Sequence, residues 1–394
     1  MRFFTLAFMM FCICLAGGLT GCSTGNHEEH HLRVATFNIA MGLKQPGELG
    51  KALAGGSDQR LRQVAEILQR VRPDIVLLNE FDYDPGIDAA TLLNDNYLSH
   101  GQNGQEPIHY PWHFRAPVNT GVDSGMDLDG DGETGGPGDA WGFGHFPGQY
   151  GMLVLSRYPI DLQASRTFQN FLWSALPNAR RPANPDGSLF YPDEVWQRLR
   201  LSSKSHWDLR FDIDGKDFHL LAFHPTPPVF DGPEDRNGLR NFDEIRFWRD
   251  YTYPSGAPHI IDDEGVRGGM GDDGHFVVAG DFNADPLDGD SVSNAAGQLL
   301  QASWFNSDCV PVSKGAEQAT RQQGGLNKDH RGASAADTAD FNDRYTGNLR
   351  LDYVLPSTQL VVEDCGVFWP APDEDGHELV EVSDHRLVWL DITL

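Results

Sequence analysis

The chain has 394 residues, with 30 Lys and Arg against 57 Asp and Glu, so its formal net charge at pH 7 is −27. This charge excludes a broad basic surface of the kind that binds nucleic acid by counterion release, and an acidic protein that acts on a phosphate needs a metal ion to screen it. Hydrophobic residues make up 40% of the chain and charged residues 22%. These values are ordinary for a globular protein with a core, and they exclude a disordered chain or a multi-span membrane protein.

The N-terminus has the pattern of an export signal. Arg2 is followed by an apolar run over residues 3–16, and the segment ends in Leu-Thr-Gly-Cys at Cys22. The run is too short for a stable spanning helix, and its ending resembles the bacterial lipobox. We therefore expect residues 1–21 to be a lipoprotein signal peptide, Cys22 to be lipidated, and residues 22–31 to form a polar tether. The alternative is a plain signal peptide with an incidental cysteine. The expected location is the bacterial cell envelope, on the periplasmic face or the outer membrane.

The cysteines agree with export. Of the five, Cys12, Cys14 and Cys22 lie in the N-terminal segment, which leaves Cys309 and Cys365 as one pair. In an oxidising compartment such a pair predicts a disulfide. Two free buried thiols are the alternative.

The hydrophobic pattern predicts strands and helices along the whole mature chain. A strand is predicted over 33–39, then a helix capped by Ser57 that ends before Pro73, then a buried strand over 74–80. Further along, the pattern predicts strands over 150–156, 207–213, 218–223, 275–279, 350–355 and 386–392, and helices over 238–250 and 291–301.

Long segments rich in Gly, Pro and Asp separate these elements. They cover about 99–148, 176–205, 225–274 and 311–347. None contains a second hydrophobic core, and long loops within a compact domain are usually functional. We therefore expect one domain over residues 32–394 with long loop insertions.

Polar residues stand at the ends of several apolar runs. Each alone is weak, because an Asn or His at a strand end is more often a turn former or a satisfied core group. Together, their carboxylate and amide oxygens suit Mg²⁺, Mn²⁺ or Ca²⁺, and the two histidines suit proton transfer. The residues are Asn38, Glu80, His224, Asp281, Asn283, Asp352, Asp384 and His385.

These residues lie in motifs that resemble the endonuclease/exonuclease/phosphatase superfamily. The motifs are Thr-Phe-Asn at 36–38, Asn-Glu at 79–80, Gly-Asp-Phe-Asn at 280–283, Leu-Asp-Tyr at 351–353 and Ser-Asp-His at 383–385. The segment over 150–160 is similar to the family's central strand, and the resemblance runs from about Arg33 to the C-terminus. It implies a four-layer α/β sandwich, in which two packed mixed β-sheets are flanked by helices and the active site lies at one edge.

The resemblance also implies a metal site and a water-activating carboxylate. Glu80 would be the principal ligand of a divalent cation, most often Mg²⁺ or Mn²⁺, with Asn38 and Asp384 close by. Asp281 would position or deprotonate the attacking water, and Asn283 would hold a phosphate oxygen.

Two histidines complete the catalytic set that the resemblance implies. His385, oriented by Asp352, would act as general base or stabilise developing charge. His224 would donate a hydrogen bond or a proton toward the phosphate. AP endonucleases have Tyr at this position and commonly an acidic residue where this chain has Ala40, and Asn79 replaces the usual Gln. These differences argue against a dedicated DNA-repair enzyme.

Two loops carry further candidate sites. The acidic spacing of a calcium loop predicts a structural Ca²⁺ site, although position 12 is Gly138 and an acidic surface turn is the alternative. Its residues are Asp127, Asp129, Asp131 and Glu133. A Pro-rich loop follows His224, and its arginines could clamp phosphate or could pair with Asp231, Glu234 and Asp243. These arginines are Arg236, Arg240 and Arg246.

The sequence therefore predicts a metal-dependent phosphoester hydrolase that acts outside the cytoplasm on small organic phosphates. An extracellular DNase I-like nuclease and a non-catalytic binding module on the same fold are the alternatives. A sphingomyelinase-like enzyme would need an exposed aromatic hairpin, for which residues 168–173 are the best segment, with core packing as the alternative. The expected partners are a phosphoester and, through Cys22, a lipid bilayer. We expect a monomer and no stable nucleic-acid complex.

Overall fold

A computed structural model describes residues 31–271 and 274–394. The predicted signal peptide, Cys22 and the tether up to residue 30 lie outside the described residues. The first strand already begins at His31, which we had assigned to the tether. Within the two described ranges, no helix combines the length and the apolar composition that a membrane span requires.

The strands and helices of the described ranges follow in chain order. The strands are β1 His31–Met41, β2 Ile75–Phe81, β3 Trp112–Phe114, β4 Met152–Ser156, β5 Ile160–Thr167, β6 His206–Ile213, β7 Lys216–Phe223, β8 Phe276–Asp281, β9 Ala339–Asp340, β10 Asn348–Leu349, β11 Asp352–Pro356, β12 Val361–Phe368 and β13 Leu387–Thr393. The helices are α1 Glu48–Gly55, α2 Gln59–Val71, α3 Ala89–Leu93, α4 Asp193–Trp196, α5 Arg236–Tyr251, α6 Gly297–Leu300 and α7 Lys314–Gln323.

The strands form two large mixed sheets. The six-stranded sheet has the order β12-β13-β1-β2-β4-β3, and the five-stranded sheet has the order β11-β8-β7-β6-β5. Each sheet contains one parallel pair, β1 with β2 and β7 with β8, and its other pairs are antiparallel. The short strands β9 and β10 form a separate pair.

The two sheets pack face to face, with helices on their outer faces. Successive side chains of a strand point to opposite faces, so Val34 of β1 packs in the cluster between the sheets with Leu220 of β7, and Phe37 packs in the cluster formed with α2. On the other side, Phe223 meets Trp248 of α5 with 6.2 Å between ring centroids. The expected four-layer α/β sandwich is therefore confirmed, and both faces of each central strand are buried, which explains their continuous apolar runs.

The structure corrects several details of the element prediction. The N-cap of α2 is Asp58, whose side chain accepts from the Leu61 amide, and not Ser57. The helix predicted over 291–301 is reduced to α6, and α7 forms inside a segment predicted as loop. Strands β5 and β12 were not predicted, because each is the outer strand of its sheet and leaves much of its surface exposed.

Two smaller expectations can be compared directly with the structure. A disulfide joins Cys309 to Cys365 on β12, as the cysteine pattern predicts. In the aromatic segment over 168–173, Phe168 and Trp173 are fully buried in the core beside α5, so the segment is core packing and not a membrane-inserting hairpin.

Candidate active site

Strand ends from both sheets meet at one edge of the sandwich. Asn38 of β1 and Glu80 of β2 come from the six-stranded sheet, whereas Asp281 ends β8 and His224 follows β7 in the five-stranded sheet. Asn38 Nδ2 donates to Glu80 Oε1 and to Asp281 Oδ2, both at 3.1 Å. One buried amide thus ties the two sheets together where their parallel strands end.

Asp281 is the centre of this arrangement. Its Oδ2 lies 3.5 Å from Nε2 of His224 and 3.5 Å from Nε2 of His385. On the far side of His385, Nδ1 lies 2.9 Å from Oδ2 of Asp352, which also accepts a hydrogen bond from the Thr338 hydroxyl at 2.8 Å. The Asp352 contact fixes the imidazole so that Nε2 faces Asp281. We call Asn38, Glu80, His224, Asp281, Asp352 and His385 the strand-end cluster.

Burial and charge divide the protonation states of this cluster. Burial opposes charge on His385, but Asp352 and Asp281 outweigh it and raise the pKa of His385 to about 10. Burial raises the pKa of Asp281 to about 6 against the lowering effect of His385. Burial and the positive charges of Lys204 and His385 hold the pKa of His224 well below its usual range. At neutral pH, His385 is therefore an imidazolium and His224 is neutral.

The two remaining predicted site residues line the same cavity as the cluster. The Asn283 amide nitrogen donates to the Pro225 carbonyl at 3.2 Å, and its backbone nitrogen donates to Asp281 Oδ1 at 2.8 Å. Asp384 is exposed to the cavity. Glu80 and Asn283 have backbone φ angles of 55° and 51°, a region that non-glycine residues rarely occupy and that is characteristic of functional sites.

Asn79, the shorter amide that replaces the family's Gln, supports the cluster from below. Its Oδ1 accepts from the Thr36 hydroxyl at 3.1 Å, and its Nδ2 donates to the Phe223 carbonyl of β7 at 3.4 Å. Asn79 is fully buried and connects the two sheets directly behind Glu80. Asn79 therefore bridges β1 and β7 in this protein.

The donor set fits a hard divalent cation. Glu80 and Asp384 offer carboxylate oxygens to the cavity, which are the ligands that Mg²⁺ and Mn²⁺ prefer. Burial raises the pKa of Glu80, so a cation beside it would offset the energetic cost of its charge. Asn38 holds Glu80 in place through Nδ2, whereas its Oδ1 accepts from the Ala40 amide at 3.0 Å. In this geometry, Asn38 positions the carboxylate.

Lys204 is the residue that sequence reasoning missed. It is 5% exposed, lines the cavity beside Glu80 and Asp281, and makes one long hydrogen bond, to the Pro225 carbonyl at 3.5 Å. Burial lowers the pKa of Lys204, which Glu244, Glu80 and Asp281 partly oppose. The only sequence signal was one lysine among serines just before an apolar strand, which does not point to a site.

The cavity above the cluster has a volume of about 530 Å³. Of the three arginines predicted to contact substrate, Arg236 and Arg240 line it, but Arg236 pairs with Glu234 and Arg240 donates to the Leu201, Trp141 and Arg200 carbonyls. Arg246 does not line the cavity. Its guanidinium donates to the Pro177 carbonyl and lies near Asp243 and Asp250, so we no longer assign it a substrate contact.

The acidic loop differs from the predicted calcium set. Carboxylate oxygens of Asp127, Asp129 and Asp139 lie within 4.8 Å of one another, and Asp139 is buried. Asp131 and Glu133, which the spacing also predicts as ligands, are not in this group, and the Asp131 side chain accepts from the Glu133 amide within a turn. The third carboxylate is thus Asp139, one position after the expected twelfth ligand, and calcium binding stays a prediction.

Comparison with known proteins identifies the family of this chain. Residues 35–385 match the model of the endonuclease/exonuclease/phosphatase family. The chain therefore belongs to this family, whose members are metal-dependent phosphoester hydrolases, and the resemblance stated from the motifs is confirmed.

Among solved structures, an endonuclease/exonuclease/phosphatase from Beutenbergia cavernae is 20% identical, with 92% of this chain and 72% of that chain covered and a TM-score of 0.48. A mutant beta toxin from Staphylococcus aureus with bound magnesium ions is 13% identical, with 92% and 99% covered and a TM-score of 0.44. Mannosyl-6-phosphatase Bt3783 of Bacteroides thetaiotaomicron is 12% identical, with 92% and 100% covered and a TM-score of 0.43. Similarity at this level does not define a substrate. No curated protein matches the sequence.

Proposed function

We propose that this protein is a metal-dependent phosphoester hydrolase that acts outside the cytoplasm on small organic phosphates. The observation that carries the proposal is the position of Asp281, whose Oδ2 lies 3.5 Å from one neutral and one protonated imidazole. Glu80 lies on the same amide bridge. The proposal is supported because a candidate proton acceptor, two imidazoles and a candidate cation ligand lie next to one another.

A divalent cation at Glu80 and Asp384 would withdraw charge from the phosphate oxygens. Asp281, with its pKa raised to about 6 by burial, orients the attacking water and accepts its proton. The amide nitrogen of Asn283 donates to the Pro225 carbonyl at 3.2 Å and to Asp281 at 3.5 Å, and in the complex it would exchange the longer of these bonds for one to a phosphate oxygen. The pKa of Asp281 suits this role, because a base works best when its pKa lies near the operating pH.

Cationic and neutral donors then stabilise the negative charge that builds up in the transition state. The imidazolium of His385 and, when protonated, the amine of Lys204 line the cavity, where low polarity strengthens the effect of a charge. His224 remains neutral and supplies a hydrogen bond from Nε2, while its Nδ1 has no partner among the described residues. Asp352 holds His385 in its orientation.

The proposed location follows from the N-terminal pattern and the disulfide. Export with lipidation at Cys22 would anchor the protein as a monomer in the bacterial cell envelope. The Cys309–Cys365 disulfide supports this proposal, because such bonds persist in oxidising compartments. The net charge of −27 supports a small phosphoester over a stable nucleic-acid complex.

The test is hydrolysis by a protein that starts after Cys22. Bis-p-nitrophenyl phosphate, p-nitrophenyl phosphate and plasmid DNA are assayed with Mg²⁺, Mn²⁺ or Ca²⁺, and after EDTA treatment. We expect turnover of the small esters that EDTA abolishes, that His385→Ala lowers at least ~10³-fold, and that the exposed-site control His100→Ala leaves unchanged. Preferred cleavage of plasmid DNA would favour the nuclease alternative. No turnover of any substrate would favour the binding module and refute the proposal.

A further inference from the structure

The cavity above the strand-end cluster has an apolar side that the proposed hydrolysis does not use. Three separate segments contribute to it: the loop before β4, the Pro-rich loop after β7, and the β9–β10 region. Its members line the same cavity as Glu80 and Asp281. We call these residues the apolar wall: Leu128, Phe143, Val229, Phe230, Phe341 and Leu349.

The apolar wall begins at the catalytic histidine itself. The rings of Phe341 and His385 meet edge to face with 5.6 Å between centroids. A group bonded to a phosphate at the strand-end cluster would therefore contact an aromatic ring next to His385. Two other aromatic residues that line the cavity are exposed, Phe143 by 58% and Phe230 by 89%. Phe230 also has a φ of 67°, so the Pro-rich loop holds this ring outward in a strained conformation.

The charged residues that line the rest of the cavity disfavour a second anionic group on the substrate. Among the described residues that line the cavity, the lysine and arginine side chains are Lys204, Arg236 and Arg240. Lys204 lies beside the strand-end cluster, and both arginines are paired with other groups of the protein. Asp129, Asp285 and Asp290 also line the cavity. A polyphosphate or a nucleic-acid strand would meet these carboxylates without free cations to balance them.

We propose that the substrate is a phosphoester whose leaving group is uncharged and apolar, and that the apolar wall is its binding site. This inference rests on the proposed function and names the substrate class for it. Hydrolysis breaks the bond between phosphorus and the ester oxygen, water supplies the hydroxyl on phosphorus, and the apolar alcohol or phenol leaves with a proton. Burial of the leaving group against the wall removes apolar surface from water, which favours esters with larger apolar groups.

The first test compares 4-methylphenyl and 4-hexylphenyl phosphates, as monoesters and as methyl diesters, at concentrations below micelle formation. The two phenols have nearly the same basicity, so the intrinsic reactivity is matched and the apolar area alone differs. We expect kcat/KM for the hexyl ester to be at least ~10-fold greater, and inositol hexakisphosphate to be a poor substrate. Phe143→Ser and Phe230→Ser should each lower this ratio toward one. The control Trp112→Ser, an exposed aromatic on β3 that does not line the cavity, should leave the ratio unchanged.

The second test does not depend on turnover. Calorimetry measures binding of 4-methylbenzylphosphonate and 4-hexylbenzylphosphonate, whose carbon–phosphorus bond resists hydrolysis. We expect the hexyl compound to bind at least ~10-fold more tightly, and Phe230→Ser to lose this preference. If the protein hydrolyses esters but both preferences are absent, the apolar leaving group is refuted while the hydrolase stands. If nothing is hydrolysed but the hexyl compound still binds more tightly, the hydrolase is refuted while the apolar wall stands as a binding site. Equal kinetics for both esters, with sedimentation on phosphatidylcholine vesicles that Phe230→Ser abolishes, would assign the ring to a membrane contact and overturn the proposal.

Discussion

The strand-end cluster and the apolar wall enclose one cavity but are built in opposite ways. The cluster consists of carboxylate, amide and imidazole side chains at or beside the ends of strands that are buried on both faces, and polar contacts such as those of Asn38 and Asp281 join its members. The wall comes from loops and the short strand β10, and two of its rings, Phe143 and Phe230, are largely exposed. The comparison teaches that buried strands position the candidate catalytic groups, whereas the proposed leaving-group site is built mainly from loops.

The largest effect is expected from the cluster. Asp281→Asn keeps the shape of the side chain but removes the proton acceptor between the two imidazoles, so kcat/KM should fall by at least ~10³-fold. Steady-state hydrolysis of bis-p-nitrophenyl phosphate checks this. Asp186→Asn, a matched change in an exposed turn, should keep wild-type kinetics. Near-wild-type activity of Asp281→Asn would remove the cluster from the chemistry.

A smaller effect on activity is expected from substitution of Lys204, which lines the cavity beside the strand-end cluster. Lys204→Met removes a buried amine that lines the cavity with Glu80 and Asp281, and we expect kcat to fall by about 10²-fold with less change in KM. Lys204→Arg should restore part of the rate, which a purely structural role would not predict. The control is Lys314→Met on the exposed end of α7, whose side chain is 77% exposed. A Lys204→Met protein with normal kcat would show that the ammonium serves only packing.

The buried carboxyl group of Asp337 predicts that the stability of the protein depends on pH. Burial and the carboxylates of Asp285 and Asp288 raise the pKa of Asp337 to about 8. Between about pH 4 and pH 8 the folded state holds a proton that the unfolded state has lost, so stability falls as the pH rises through this window. Asp337→Asn avoids the loss and should gain about 1–3 kcal/mol at pH 8, with little gain at pH 4.5. Urea unfolding at both pH values measures this difference. A variant that is less stable than wild type at pH 8 would contradict it.

The smallest effect is expected from the wall. Because Phe143 and Phe230 are exposed, Phe143→Ser and Phe230→Ser should each change the free energy of unfolding by no more than about 0.5 kcal/mol. Phe168→Ser, in the fully buried core, should cost several kcal/mol in the same urea titration. If the wall variants were as destabilised as the core variant, the two rings would serve stability, which would contradict the difference between the strand-end cluster and the apolar wall.

The cluster could be predicted from sequence because each of its residues stands at or beside the end of a strand with a readable pattern. Asn38, Glu80 and Asp281 end continuous apolar runs, and the family motifs assign the partner of His385. Lys204 and the apolar wall could not be predicted in this way. Their positions depend on how three long loops close over the sheets, and neither local hydrophobicity nor spacing records that closure.

The same limit explains the errors in detail. The loop over 120–149 brings Asp139 rather than Asp131 beside Asp127 and Asp129. Spacing in the sequence does not record side-chain directions in a loop in which Gly130, Gly132 and Gly135 have positive φ angles. Arg246 follows Arg236 and Arg240 in sequence, but on helix α5 it points to a different face from the cavity-lining arginines. Sequence spacing thus pointed to the acidic loop and to helix α5, but it did not predict which of their side chains lie together or line the cavity.

The most direct test of the central claim is restoration of hydrolysis by a divalent cation in metal-free protein. EDTA-treated wild type, Glu80→Gln and the exposed control Glu317→Gln on α7 are titrated with Mg²⁺ or Mn²⁺ while bis-p-nitrophenyl phosphate turnover is recorded. The account predicts that wild type and Glu317→Gln recover saturably and that Glu80→Gln recovers less than ~1% of the rate, because it lacks the principal carboxylate ligand. Full activity without added cation, or equal recovery by Glu80→Gln, would contradict it.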